Sequence, residues 1–103
     1  MRAMLFVLLL TLFACGSDAP SGDPIAGELL SEDVTPNCAA CHSLASAGFT
    51  GSVAPDLDEL QPGYQRVLDA LREGPGLMPS YEGVLTDREM HDLAAFISGA
   101  AGS

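Results

Sequence analysis

The 103 residues contain no lysine and no tryptophan, and four arginines stand against 14 Asp and Glu. A formal net charge of -10 excludes nucleic acid as a partner, because phosphate binding depends on cationic side chains. Three cysteines make no disulfide framework, and Cys38 and Cys41 are too close together to tie distant parts of the chain. No apolar run is long enough to span a bilayer, no segment repeats, and no stretch alternates apolar and polar residues as a half-buried strand would. The fold class is therefore all-α. Large apolar side chains are scarce beyond the first 14 residues, where Ala supplies much of the apolar count. A domain this small needs a staple, a metal or a cofactor, and with disulfides excluded something else must fill the core.

Residues 1–14, MRAMLFVLLLTLFA, pair Arg2 with an apolar run of signal-peptide length. Leu12-Phe13-Ala14-Cys15 resembles the bacterial lipobox, in which the Cys becomes the lipidated first residue after cleavage. Phe13 departs from the small residue usual there, while Leu12 fits ordinary A-x-A cleavage worse. The expected organisation is a signal peptide over 1–14, a lipidated Cys15 with a flexible tether over 15–24, and a folded domain over 25–101. Cleavage leaves 14 acids against three arginines, a net charge of -11. The tether, rich in Gly, Pro and Ser, has a reach of about 15 Å.

Asp23-Pro24 supplies an N-cap and a first-turn proline, and Ile25, Leu29 and Leu30 mark one face of a short helix ending before Pro36. A second helical piece is expected over Asn37 to Leu44, followed by a loop from Ala45 to Leu60. Tyr64, Val67, Leu68 and Leu71 fall at i, i+3, i+4 and i+7 of an amphipathic helix that Pro62 can open and Gly74-Pro75-Gly76 stops. Thr86-Asp87-Arg88-Glu89 reads as a capping box for a last helix in which Met90, Leu93, Ala94 and Ile97 repeat the same spacing and Gly99 marks the end.

Cys38-Ala39-Ala40-Cys41-His42 is C-x-x-C-H, the c-type haem attachment sequence. Two thiols three positions apart can each add to a vinyl group on one porphyrin edge, and the next residue places an imidazole beneath the iron. A thioredoxin-like dithiol expects a βαβ context, which is missing, and a zinc site needs a fourth ligand from His91 or scattered carboxylates. For the sixth position the mature chain offers three neutral ligands. Met90 lies on an apolar helix face and reads as core filler. His91, flanked by Glu89 and Asp92, reads as a solvated surface side chain. Met78 lies in Gly74-Pro75-Gly76-Leu77-Met78-Pro79, a loop able to reach the far face of the porphyrin, and is the expected ligand.

With these motifs in place the chain resembles a class I cytochrome c of the small bacterial monohaem kind, from about residue 25 to residue 98. The resemblance implies the cytochrome c fold, three to five short helices around one covalently bound haem c. It implies that Gly27 of the first helix crosses the last helix at Phe96. It also implies that the Pro55 carbonyl, in GSVAPDL, accepts the imidazole N–H of His42, with Ala54 standing where the family usually has Gly. The Met78-Pro79 pair and LTDREMHDLAAFI are similar to the family's C-terminal half.

The cofactor-binding set is then Cys38, Cys41, His42, Met78 and Pro55, with His42 and Met78 as metal ligands. Val67, Leu68, Leu71, Leu77 and Phe96 are candidates for the apolar shell. Tyr64, Tyr81, Arg66 and Arg72 can reach propionates or stand on the surface. Two protein ligands leave no open iron position, so the expected role is one-electron transfer outside the cytoplasm by a carrier and not an enzyme. Two other roles stay open: a haem sensor or small-ligand binder with a labile Met78, and a fixed cytochrome subunit of a membrane enzyme complex. The expected location is the periplasmic face of a membrane through a lipid anchor, outer before inner, or otherwise the soluble periplasm. Redox partners are expected to offer a basic docking patch to so acidic a surface.

Overall fold

The computed structural model describes residues 22–103. Among these residues four helices, α1 (Pro24–Ser31), α2 (Leu57–Leu60), α3 (Tyr64–Glu73) and α4 (Asp87–Ala100), carry the architecture. Between α1 and α2 lie two 3₁₀ turns (Cys38–Ala40 and Ala45–Ala47) and two-residue strands β1 (Ser43–Leu44) and β2 (Phe49–Thr50), paired antiparallel with Leu44 opposite Phe49.

Helix α1 opens as its sequence dictates: the Asp23 side chain accepts the Ile25 N–H at 2.9 Å and Pro24 occupies the first turn. Its buried face is not the expected apolar one. Gly27 and Ser31 are buried, whereas Ile25 and Leu29 are 70% and 65% exposed and only Leu30 reaches the core. The cause is the closeness of the crossing with α4. A Cβ on Gly27 would lie 2.0 Å from the Asp92 carbonyl oxygen and 2.9 Å from the Phe96 Cβ, so this contact admits small residues and turns the large ones outward. The Asp23 N–H donates to the buried Asp92 carboxylate at 2.8 Å and fixes the entry of the helix.

The expected helical piece over Asn37 to Leu44 shrinks to one turn. His42 N–H reaches the Cys38 carbonyl at 3.0 Å, and the chain then extends into β1, where pairing with β2 replaces further helical bonds. Conversely, the stretch read as loop contains α2. Its Asp56 cap accepts the Asp58 N–H at 2.9 Å, but one turn is too short to show periodicity. Asp58 accepts the N–H groups of Ala45 at 2.8 Å and Gly102 at 2.9 Å, bonds that hold its carboxyl below the usual range.

Helix α3 begins one residue after Gly63 and ends at Gly74 in the left-handed region. The capping box of α4 is complete, with Glu89 N–H to Thr86 Oγ1 at 3.1 Å and Thr86 N–H to Glu89 Oε1 at 2.9 Å. That helix runs past Gly99 to Ala100. Val67, Leu68 and Leu71 of α3 meet Met90, Leu93, Ala94 and Ile97 of α4, and Leu44, Phe49, Leu57, Leu85 and Phe96 complete the core.

Adding one methyl at the α1–α4 crossing should therefore be costly. Gly27→Ala is expected to destabilise the haem-loaded protein by about 1–3 kcal/mol, the usual range for overpacking. Gly99→Ala, where a Cβ meets nothing within 4 Å, should stabilise it by up to about 1 kcal/mol through helix propensity. Thermal unfolding of the two variants beside the parent checks both signs, since about 1 kcal/mol moves Tm by roughly 4–8 °C in a domain of this size.

Candidate functional site

A cavity of about 550 Å³ opens between the segment holding Cys38, Cys41 and His42, the Pro55 loop, helices α3 and α4, and the loop carrying Met78. All five residues expected at the site, Cys38, Cys41, His42, Pro55 and Met78, line it, and Val67, Leu71, Leu93 and Ile97 supply its apolar inner wall.

The His42 imidazole donates through Nδ1–H to the Pro55 carbonyl at 2.8 Å. A carbonyl can only accept, so the proton sits on Nδ1 and the lone pair is left on Nε2, the tautomer of a metal ligand. The loop bearing Pro55 is held to the cysteine segment by Gly51 N–H to the His42 carbonyl and Ala54 N–H to the Cys41 carbonyl, both at 3.0 Å. Gly51 is required here, because a Cβ would lie 2.5 Å from the Cys41 carbonyl carbon and 2.7 Å from the His42 nitrogen. Ala54 fits where the resemblance leads to an expectation of Gly: among the described residues only Asn37 and Gln61 combine a side chain with positive φ.

Cys38 is half-buried, and burial pushes its thiol up to about 11. A reactive dithiol needs the thiolate, which this environment disfavours, whereas a thioether is neutral and suits it. Cys38 and Cys41 form no disulfide with each other, and no cluster of three or more His, Cys, Asp or Glu among the described residues forms a metal cage.

The loop bearing Met78 folds tightly onto the end of α3. Tyr81 N–H reaches the Leu71 carbonyl at 2.7 Å, Ser80 Oγ donates to the Arg72 carbonyl at 2.6 Å, and Met78 N–H reaches the Pro75 carbonyl at 3.1 Å. Gly74 makes the turn possible, with positive φ and no room for a Cβ beside Ser80 and Met78. Met78 is half-buried against the core, and Pro79 follows it on the cavity wall.

Met90 is 1% exposed and packed in the core away from the cavity, as its helix position implies. His91 is not a solvated side chain. It is half-buried, hydrogen-bonded through Nδ1 to the Tyr64 hydroxyl, and its Nε2 lies 3.5 Å from an Asp87 carboxylate that also takes Arg72 at 2.6 Å. Arg72 is thus spent on an ion pair and Tyr64 on His91, while Arg66 lines the cavity with no ion-pair partner among the described residues. Leu68 and Phe96, expected in the apolar shell, are buried but line no part of the cavity, which Leu93 and Ile97 of α4 line instead. Leu77 lies on the outer rim, 94% exposed. Tyr81 lines the cavity and donates its hydroxyl to the Pro36 carbonyl at 2.8 Å. Burial pushes its phenol up and keeps it a donor. Neither Asp58 nor the Tyr81–Pro36 contact leaves a trace in residue spacing, since each joins a side chain to distant backbone.

Known proteins are similar to this chain in sequence and in fold. The family described as "Cytochrome C oxidase, cbb3-type, subunit III" matches residues 26–97. Cytochrome c6 of Picosynechococcus sp. is 32% identical over 114 aligned positions, spanning 96% of this chain and 92% of that protein. Cytochrome c6 of Synechocystis sp. is 27% identical over 90 positions, 84% of this chain and 72% of that one. The crystal structure of the c-type cytochrome SorU from Sinorhizobium meliloti superposes with a TM-score of 0.71 at 42% identity, covering 77% of this chain and 91% of that one. The fold and cavity are those of a small class I c-type cytochrome, and the chain belongs to that family, by the model matched over residues 26–97. It carries one covalently attached haem c, and the residues present fit that group: an apolar cavity, two sulfurs at its wall, an imidazole presenting a lone pair and a thioether.

Proposed function

We propose that this chain is an exported one-electron carrier whose haem c is bound through Cys38 and Cys41 and ligated by His42 and Met78. The observation that carries the reading is that one cavity is lined both by an imidazole locked by Pro55 as an Nε2 donor and by the thioether of Met78. A haem iron with two protein ligands supplies reversible ferric–ferrous chemistry and no open position for a substrate. The chain's part is to hold that geometry. Pro55 fixes the ring and raises the basicity of His42, Met78 favours the ferrous state, and the walls from α3 and α4 keep water out. The cytochromes c6 among its relatives support the carrier role. The description of the matching family supports a second reading, a fixed cytochrome subunit of a membrane complex, and co-purification with a large partner would favour it.

Cys15 lies outside the described residues, so anchoring rests on the lipobox-like Leu12 to Cys15 and the tether behind it. A single acyl chain binds membranes marginally and several bind stably. Cys15→Ser is expected to move the haem protein from the membrane fraction to the soluble one, or to leave it uncleaved; an unmodified protein found wholly soluble would overturn the anchor.

Met78→Ala is expected to lower the midpoint potential and open the iron to imidazole. Met90→Ala should cost about 2–5 kcal/mol through a cavity and leave the spectrum nearly unchanged. A redox titration with absorption spectra of the three proteins checks the assignment, and the reverse pattern would refute it.

The acidic surface makes the favoured partner one with a basic docking patch. Raising ionic strength should slow electron transfer with a cationic reagent and speed it with an anionic one, as the Debye length falls from about 10 Å at 0.1 M to about 3 Å at 1 M. Stopped-flow rates across a salt series measure this. Equal slopes for the two reagents would mean that the haem edge feels no net acidic field.

A further inference from the structure

The polar frame of the cavity is built in two halves. The cysteine segment is bonded to the Pro55 loop through Gly51, Ala54 and His42, and the Met78 loop is bonded to the end of α3 through Ser80 and Tyr81. Among the described residues, one hydrogen bond joins the two halves directly: Tyr81 Oη–H to the Pro36 carbonyl, 2.8 Å, across 45 positions of sequence. Its ends are well placed. Pro36 is buried two residues before Cys38, Tyr81 stands three residues after Met78, and both line the cavity. The backbone of Tyr81 is also fixed, its N–H on Leu71 and its carbonyl accepting from Val84 and Leu85 at 3.0 and 2.9 Å, so the side chain reaches out from a rigid base.

We infer that Tyr81 is a positioning residue for the sixth ligand: its hydroxyl straps the Met78 loop to the segment that carries the cysteines and keeps the thioether at the iron. The inference rests on Met78 being that ligand. Without the strap the loop is tied to α3 alone and can swing from the cavity, exposing an iron position in a minor fraction of molecules. A ligand that binds this open form is favoured in proportion to its population.

The test uses the haem-loaded, ferric protein and imidazole. Tyr81→Phe keeps the ring and removes the hydroxyl. Loss of one hydrogen bond should raise the open population, and with it the imidazole affinity, by about 5- to 10-fold. The weak far-red absorption of thioether-ligated ferric haem should bleach at correspondingly lower imidazole. Tyr64→Phe loses a hydroxyl bonded to His91 away from the cavity, and should leave the affinity within about twofold even if unfolding occurs at lower temperature. Parental affinity in Tyr81→Phe, or an equal gain in Tyr64→Phe, would overturn the strap. Absence of the far-red band from the unmodified protein would instead overturn Met78 as ligand, and the strap with it.

Discussion

A cavity of about 550 Å³ bounded by Val67, Leu71, Leu93 and Ile97 leaves this small chain without a filled interior of its own. Buried apolar residues of α2, α3 and α4, Leu57, Leu71 and Leu93 among them, line that space. Burial of a large flat prosthetic group is therefore what the remaining structure depends on. Val67, Leu71, Leu93 and Ile97 belong both to the core shared by helices α3 and α4 and to the cavity wall, so the haem and the helix pair stabilise each other.

The loops around the cavity have little regular structure, yet they are closely specified. Backbone bonds from Gly51 and Ala54, the imidazole on Pro55, and the folded-back turn at Gly74 each fix a short segment against a neighbour. Such contacts cost no core volume. They let a chain of few large apolar residues place two ligands from distant parts of its sequence.

What could be read from the sequence follows from the range of each signal. Asp23-Pro24, the Thr86–Glu89 capping box and the i, i+3, i+4 spacings of α3 and α4 are local, and the structure repeats them. So is C-x-x-C-H. The Pro55 contact was legible only through resemblance, since thirteen residues separate it from His42. The crossing of Gly27 with α4 at Phe96, implied by resemblance, holds, whereas the apolar face read from spacing does not: the close approach of the α4 backbone buries Gly27 and leaves Ile25 and Leu29 exposed. Asp58, Tyr81 and the His91–Tyr64 pair are long-range side-chain bonds without periodicity, and only coordinates display them.

The docking of α1 bears on how a mechanical load would spread through the domain. A Cβ on Gly22 would lie 1.9 Å from the His91 carbonyl oxygen, and Asp23 is bonded to Asp92, so the described chain begins clamped to the second turn of α4. A pull on the chain at residue 22 is taken up there, as shear between two crossed helices. Neither Gly22, Asp23, His91 nor Gly27 lines the cavity. Tension delivered at this end would meet the α1–α4 joint before either ligand loop, and would reach the cavity through the second turn of α4, where Leu93 lines it.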